Sequence, residues 1–553
     1  MNIGEMQRKL SQWAEDDQER KFKDLYSLLC NIEWLRVAHK KVNSNRGRET
    51  AGIDRIAMWN FNENLDNNLD KLREELKAKT FEPCPVLRVY IPKPNGKERP
   101  LGIPTIKDRI VQEALRMVLE PIWEADFSNR SYGFRPNRST YDAISYIGNH
   151  LTGLSGKGYQ WVIEGDISSY FDTIPHRRLN KAVKKRVADK DIRDLLWNFL
   201  RAGVMYRGKV KETLAGTPQG GIVSPLLANI YLDELDKYME SNYLDISYGQ
   251  RSRRREKGKS NFLYVRYADD FVVLCNGTKE QAQSMKDELK DIIKNMGLTL
   301  SEEKTKITHI TEGFTFLGYK IIRSLGISGK MVPKVLIPES AVKRFQHKTR
   351  EILTQNSTKE STSAKIIAQN RLTTGWCQYY RCTSSPGYFF EKLRPEVYWN
   401  MAHWLGRKYK LSISEVIQKY GKDNTFVNND VTLIMPSEYK AKKLMTKTWH
   451  NPYTGTENIE REHLFSYAEL WTGTDQRQNR MDLREEVIEL KGTTCMICGI
   501  NLHPSEVQVD HIKRRATFKD PRDADQLSNM EVLCTLCHRE KTKIERKVLS
   551  RMP

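Results

Sequence analysis

The sequence predicts a multidomain α+β protein. Three observations point there. Short apolar runs of strand length alternate with longer runs of helical periodicity through the middle of the chain. A largely helical, basic stretch follows, and a short segment with paired cysteines and histidines comes last. At 553 residues the chain can hold three to five domains of about 100–200 residues each.

Taken in order, residues 1–80 read as helical, with patterns such as DLYSLLCNIEWLRVAHKKV and a polar turn around Gly47 to Asp54. Residues 81–330 mix strands and helices. The strand candidates are VLRVYIP, YQWVIEGDI, FLYVRYADDFVVLC and KITHIT; the helix candidates include KDRIVQEALRMVLEPIWE and TKEQAQSMKDELKDIIKNMG. Residues 331–415 are mostly helical and basic, residues 416–488 polar with scattered aromatics, and residues 489–553 short and rich in Cys and His. No internal repeat and no low-complexity tract interrupts this order.

Hydrophobic residues make up 39% of the chain and charged residues 29%, so real cores coexist with a heavily charged surface. Lys and Arg number 91 against 70 Asp and Glu, a formal charge of +21. Solubility alone accounts for some excess; the sharper reading is a polyanion partner, whose counterions are released when Lys and Arg neutralise phosphates. The run Arg251, Arg253, Arg254, Arg255, Lys257 and Lys259 lacks apolar periodicity and reads as an exposed loop, either merely solvated or in contact with phosphate. No stretch approaches the roughly 20 apolar residues of a membrane span. The opening MNIGEMQRKLSQWAEDDQERK is too polar and acidic for a signal peptide, so an intracellular protein is expected. Of nine cysteines, Cys30, Cys84, Cys275, Cys377 and Cys382 lack metal spacing and read as small apolar residues.

The segment Tyr264-Val265-Arg266-Tyr267-Ala268-Asp269-Asp270-Phe271-Val272-Val273-Leu274 places two adjacent acids between apolar runs, the pattern of a β-hairpin with a carboxylate tip. Neighbouring carboxylates repel and lose solvation unless a cation sits between them. Asp-Asp alone would be an ordinary acidic turn; the flanking strands and the preceding Tyr-Ala argue otherwise. About a hundred residues earlier, Asp166 ends the strand-like run Val162-Ile163-Glu164-Gly165 and is followed by Ile167, Phe171 and Asp172.

Tyr-Ala-Asp-Asp on a hairpin, with Asp-Ile-x-x-x-Phe upstream, resembles the palm of reverse transcriptases. The resemblance implies a right-hand fold of fingers and palm in which Asp166, Asp269 and Asp270 hold two Mg²⁺ ions. Mg²⁺ prefers hard oxygen ligands and keeps substrate phosphates in its shell, so acids are required. Asp172 is the alternative third acid; Asp166 is preferred because Phe171 then falls where the family excludes a 2′-hydroxyl, selecting dNTPs. A core aromatic is the plain alternative for Phe171. The block from Val89 to Pro104 resembles the fingers hairpin, with Lys93 and Arg99 as candidates to grip the triphosphate, Arg through a bidentate fork and Lys as a point charge. Ser131-Tyr132-Gly133-Phe134-Arg135-Pro136-Asn137-Arg138-Ser139 matches the next block, whose basic residues are expected at the template. In Gly216-Thr217-Pro218-Gln219-Gly220-Gly221 the resemblance puts Gln219 under the incoming nucleotide. Lys304 is a candidate proton donor to pyrophosphate, or an ordinary surface lysine.

Several classes of reverse transcriptase share this core, and three further features resemble group II intron-encoded proteins. Thr50-Ala51-Gly52-Ile53-Asp54 precedes the fingers block like their N-terminal extension. Asn370-Arg371-Leu372-Thr373-Thr374-Gly375-Trp376-Cys377-Gln378-Tyr379-Tyr380-Arg381 is similar to their maturase, or thumb, motif, with Thr374 where the pattern more often has Arg. Its aromatics either stack on bases or pack a core. By position residues 416–488 would bind DNA; Trp449, His450, Tyr453 and Trp471 are DNA-contact candidates, with core packing the stronger reading for each.

The third feature is the C-terminal segment. Cys495, Cys498, Cys534 and Cys537 form two Cys-x-x-Cys pairs, the spacing of a tetrahedral structural Zn²⁺, and a domain of about sixty residues benefits from a metal clip. Asp510, His511, Asn529 and His538 fall among them as in HNH (ββα-metal) nucleases. That resemblance implies His511 as general base, Asp510 and His538 as ligands of one catalytic divalent cation, and Asn529 as a residue that orients His511 or binds the ion. A zinc module that only binds DNA is the alternative.

The whole pattern implies an RNA-directed DNA polymerase that binds its parent intron RNA, assists its splicing, and nicks target DNA to supply a primer; dNTPs, intron RNA and target DNA are the expected partners, with no membrane. A homodimer is left open, and so is the location: cytoplasm or nucleoid in a prokaryote, an organelle in a eukaryote. The rivals are a domesticated or defence-associated reverse transcriptase without an intron, and an RNA-binding splicing factor without polymerase activity.

Overall fold

The structure, a computed structural model, describes residues 2–92, 96, 98–151, 158–206, 209–211, 215–217, 220–326, 331–354, 357–429, 431–444, 449–455, 487–488, 490–500, 502, 507–513, 526–534, 537–538 and 541. It divides into two compact units, Met1–Leu464 and Phe465–Pro553. No helix among the described residues is long and apolar enough to cross a membrane.

Eleven strands form the sheets of most of the first unit: β1 (Val86–Pro92), β2 (Glu98–Ile103), β3 (Trp161–Asp166), β4 (Val204–Tyr206), β5 (Lys209–Lys211), β6 (Phe262–Tyr267), β7 (Asp270–Cys275), β8 (Lys306–His309), β9 (Phe314–Phe316), β10 (Tyr319–Leu325) and β11 (Met331–Leu336). The central sheet has the order β6-β7-β3-β8 and is antiparallel throughout. Its strands β6 and β7 are mostly apolar because both their faces are covered. Ile163, Tyr264, Phe271 and Val273 point into one core; Val162, Leu263, Val265, Val272 and Leu274 point into another. The period of two in a strand splits each apolar run between the two cores.

The first core is built against helices. Ile106–Glu124 is buried nearly all round, as a helix surrounded on every side must be. Ser224–Met239 and Lys279–Asn295 pack there too, the latter with its apolar residues on one stripe: Ala282, Met285, Leu289 and Ile293. Thr278 and Gln281 close its N-terminus with a capping box. A second sheet, β2-β1-β4-β5, pairs β1 and β2 antiparallel, with Ile91 facing Arg99.

The helices Glu339–Ile352, Thr362–Tyr380, Pro386–Tyr409 and Ile413–Tyr420 enclose their own core of Phe345, Ile366, Val397, Trp404 and Phe426, the last from the small sheet β12 (Gly421–Lys422), β13 (Thr425–Asn428) and β14 (Val431–Thr432). The expected boundary at 415 falls inside the last of these helices, so the bundle extends further than the composition shift indicates. The motif aromatics pack rather than face solvent. Tyr379 and Tyr380 donate their hydroxyls to the carbonyls of Leu317 and Gly318 at 2.5 and 3.2 Å, and Tyr319 stacks on Tyr379. Thr374 accepts a hydrogen bond from the Tyr439 hydroxyl at 2.8 Å.

One expectation changes, and the packing reading of two aromatics holds. The basic run is helical: Ser247 and Gln250 form a capping box that opens the helix Tyr248–Glu256. No residue of that helix is buried, so no apolar stripe marks it in the sequence. Of the DNA-contact candidates, Trp449 packs edge-on to Tyr132 with the Arg138 guanidinium over its ring, and Tyr453 donates to Glu120 at 2.8 Å; both serve packing. His450 is exposed, and Trp471 lies outside the described residues.

In the second unit, β15 (Gln508–His511) pairs antiparallel with β16 (Met530–Leu533) over a small core of Val487, Val507, Met530 and Val532.

Candidate active sites

In the central sheet Asp166 is the register partner of Asp270, across β3 and β7. Asp269 lies in the two-residue turn between β6 and β7, after Ala268, whose φ of 58° is left-handed. The strand order therefore brings three acids to one corner although about a hundred residues separate the first from the other two. Their electrostatics show the crowding. Lost solvation raises the Asp269 carboxyl above its usual range and Asp166 adds to this, while Arg99 and Lys304 pull it down. The Asp270 carboxyl is pushed up to about 7, first by lost solvation and then by the charges of Asp269 and Asp166. Such a cluster of hard oxygen donors suits Mg²⁺. Asp172 belongs instead to the short helix Tyr170–Thr173, six residues beyond the end of β3.

The tip is held by residues that the motif reading passed over. Arg266 is wholly buried; its guanidinium bonds Asp236 at 2.7 Å through Nε and, through Nη1, the Ala268 carbonyl at 2.9 Å and Asn229 Oδ1 at 3.0 Å. The Tyr264 hydroxyl donates to the same Asp236 carboxylate at 2.8 Å, and Asn229 donates to the Gly133 carbonyl at 2.8 Å. A lone Arg inside an apolar strand, with acids and an Asn one helical face away in LLANIYLDELD, was the available signal. The segment before Gly133 runs beside β6, with the Tyr132 amide on the Arg266 carbonyl at 2.9 Å.

Around the acids, Lys304 donates to Asp166 Oδ2 at 2.9 Å, and that bond raises the ammonium pKa. Arg99 stands exposed on β2. Phe171 is half-buried on the Tyr170–Thr173 helix, and the loop at Gly216 lies directly under it: Thr217 N donates to Phe171 O at 2.6 Å, and a Cβ on Gly216 would fall 2.8 Å from the Asp172 backbone. Lys93 and Gln219 lie outside the described residues. The block at 131–139 corrects an expectation. Arg135 and Arg138 turn inward, Arg135 onto Glu124 at 2.9 Å and Arg138 onto Asn129, rather than toward a template. The exposed residue is Phe134, 53% accessible, with a left-handed φ of 59°, its ring edge-on to Phe171 at 6.3 Å. A bulky side chain at positive φ costs about 1–2 kcal/mol and persists only where its surroundings impose it.

In the second unit the four cysteine sulfurs lie within 4.8 Å of one another, and Cys498 and Cys534 are 3.8 Å apart. Tetrahedral zinc with bonds of about 2.3 Å requires sulfurs about 3.8 Å apart, so the donor set fits Zn²⁺. Asp510 and His511 end β15 opposite Glu531 and Met530, and His538 Nε2 comes within 3.9 Å of Asp510 Oδ2. Lys541 bonds both Asp510 and Glu531, at 2.9 and 2.7 Å; burial would raise the Asp510 carboxyl, but this ammonium holds it below the usual range. The Asn529 side chain exchanges two bonds with the Lys513 backbone, at 2.8 and 3.0 Å, pinning the turn just after His511.

An acidic corner on an antiparallel sheet, a helical bundle behind it and a four-cysteine module with an Asp-His strand define a polymerase joined to a nuclease. Family models agree: Reverse transcriptase (RNA-dependent DNA polymerase) over residues 91–321, Group II intron, maturase-specific domain over 342–421, and HNH endonuclease over 495–543. The chain is 42% identical to Protein YkfC of Escherichia coli over 361 residues, covering 62% of this chain and 95% of that protein. It is 29% identical to the Group II intron-encoded protein LtrA of Lactococcus lactis over 96% of this chain and 97% of that one. A putative COX1/OXI3 intron 1 protein of Saccharomyces cerevisiae is 27% identical over 94% of this chain and 69% of that one. The chain belongs to the group II intron-encoded reverse transcriptases, with a maturase domain and a C-terminal HNH endonuclease. It is an RNA-directed DNA polymerase and an HNH nuclease, and the intron-free rivals are not favoured.

Proposed function

We propose that Asp166, Asp269 and Asp270 are the metal-binding acids of the polymerase, on a palm formed by β6-β7-β3-β8, with fingers at β1 and β2 and a thumb in the helices from 339 to 420. The register of Asp166 against Asp270 carries this reading. Mg²⁺ bound there supplies Lewis-acid activation of the primer 3′-hydroxyl and neutralises the leaving pyrophosphate. Arg99 holds the triphosphate and Phe171 packs on the sugar; the family resemblance assigns Lys93 to the triphosphate and Gln219 to the incoming nucleotide. Lys304 delivers a proton to pyrophosphate, a role supported by its bond to Asp166 at 2.9 Å. Phe134 extends the wall made by Phe171.

In the nuclease His511 takes the proton from water, Asp510 and His538 hold a divalent cation, and Asn529 positions the His511 turn through its bonds to Lys513. Cys495, Cys498, Cys534 and Cys537 hold structural Zn²⁺. The maturase domain binds the parent intron RNA; the nuclease nicks target DNA, and the new 3′ end primes copying of the intron by the polymerase from dNTPs.

Primer extension on poly(rA)/oligo(dT) tests the assignment: wild type extends and Asp269→Ala does not. Equal activity in both, or none in wild type, ends it. For the nuclease, a His511→Ala protein that nicks target DNA as fast as wild type removes His511 from its role.

A further inference from the structure

The helix Tyr248–Glu256 and the turn after it concentrate six cations, Arg251, Arg253, Arg254, Arg255, Lys257 and Lys259, against a single acid, Glu256. They divide into two sets. Arg251 donates to the Leu244 carbonyl at 2.7 Å, and Arg254 to the Ser260 carbonyl at 3.0 Å while lying over the Tyr243 ring at 5.3 Å. These two fasten the helix to the chain on both sides of it. Arg253, Arg255, Lys257 and Lys259 are exposed and have no side-chain partner among the described residues.

Cations near a helix C-terminus are favoured by its dipole, which accounts for part of this charge. It does not account for Arg253, Arg255, Lys257 and Lys259 within seven residues, exposed and without a side-chain partner among the described residues, whose mutual repulsion an anionic partner would relieve. Tyr248, at the other end of the same helix, is 81% accessible and offers an open aromatic face. Phosphate contacts alone fit any nucleic acid. A free aromatic ring beside them fits RNA loops and bulges, whose unstacked bases are available, and not the closed stack of duplex DNA.

We propose that the helix Tyr248–Glu256, with Lys257 and Lys259, is a docking surface for a structured RNA, its cations on the backbone and Tyr248 on an unpaired base. This rests on the reading of intron RNA as the partner, and makes the helix a contact separate from the polymerase acids.

The test uses the full chain and two short RNA probes, a stem-loop from the intron and the same stem closed as a blunt duplex, with a DNA stem-loop as control. The variant R253E/R255E/K257E/K259E leaves both fastening arginines in place; R253K/R255K keeps the charge. The charge-reversed protein should bind the RNA stem-loop at least about tenfold more weakly in 0.1 M salt, with the salt slope of log K smaller by about 3. The lysine variant should stay near wild type. Tyr248→Ala should weaken the stem-loop and leave the blunt duplex unaffected, and primer extension should stay unchanged in all three. An unchanged affinity and slope in the charge-reversed protein overturns the proposal. So does an equal loss for DNA, or a matching fall in primer extension, which would make the helix a template track. Failure of wild type to bind any intron RNA would instead sink the partner reading on which the proposal stands.

Discussion

Gly133 lies so close to Ala268 that a Cβ on the glycine would fall 2.4 Å from the Ala268 amide nitrogen. The turn that carries Asp269 is thus braced by a backbone from the block at 131–139. Gly133→Ala must push the tip away from Asp166. Misplacement of reacting groups by about 1 Å costs about 100-fold in rate. Primer extension by this variant should fall by that order while HNH nicking persists.

The buried pair of Arg266 and Asp236 holds the same turn from beneath. Removing one partner leaves a buried charge unpaired and costs about 3–5 kcal/mol. Asp236→Ala should lower the thermal midpoint of the first unit and abolish primer extension. The double change Arg266→Met with Asp236→Leu should recover much of the midpoint but not the activity, because the bond to the Ala268 carbonyl is gone. Recovery of both would show that the pair does not position the tip.

Phe134 is held at a left-handed φ with its ring exposed beside Phe171. If the two rings form one wall of the nucleotide site, Phe134→Ala should weaken the preference for dNTPs over rNTPs by about tenfold. Single-nucleotide incorporation assays with each substrate measure it. Phe134→Ala with an unaltered ratio would reduce Phe134 to packing, and Phe171→Ala separately tests the gate.

Among the described residues the nuclease unit has two small buried clusters, Val487, Val507, Met530 and Val532, and Cys495, Leu533 and Cys534. Its folding should depend on metal. The purified chain should contain a single structural zinc by elemental analysis. Cys498→Ser, or stripping with a strong zinc chelator, should remove nicking and leave primer extension intact after Mg²⁺ is restored. Full nicking by a zinc-free protein would refute the clip.

Asp108, buried beneath Thr105 and Cys84, has its carboxyl raised to about 6, chiefly by lost solvation. An unfolded Asp titrates near about 4, so the folded chain binds this proton more tightly between about 4 and about 6. The group's contribution is therefore full below that window and lost as pH rises through it. Urea midpoints of wild type relative to Asp108→Asn should fall across the window and stay level above it; a constant difference would deny the shift.

Much of this protein could be read before any fold was drawn. Val86–Pro92, the two strands around Tyr-Ala-Asp-Asp and the helix Lys279–Asn295 stand where their periodicity places them, because local pattern and burial agree there. The helix Tyr248–Glu256 escaped that reading because caps and arginine-to-carbonyl bonds, not an apolar stripe, stabilise it. The inward turn of Arg135 and Arg138 leaves no mark in the sequence for a related reason. Charge announces a partner but not whether that partner is solvent, nucleic acid or a buried glutamate.

By itself the sequence determined which groups are available: three aspartates, four paired cysteines, an Asp-His strand and an excess of cations. Residue type and short spacing carry the chemistry of metal binding, and both are local. Only the tertiary structure decided which of these groups meet. The register of β3 against β7, which sets Asp166 beside Asp270, and the brace of Gly133 on Ala268 arise from contacts between residues far apart in the chain. Such contacts are selected by the packing of two cores against one sheet, and no window of neighbouring residues encodes them.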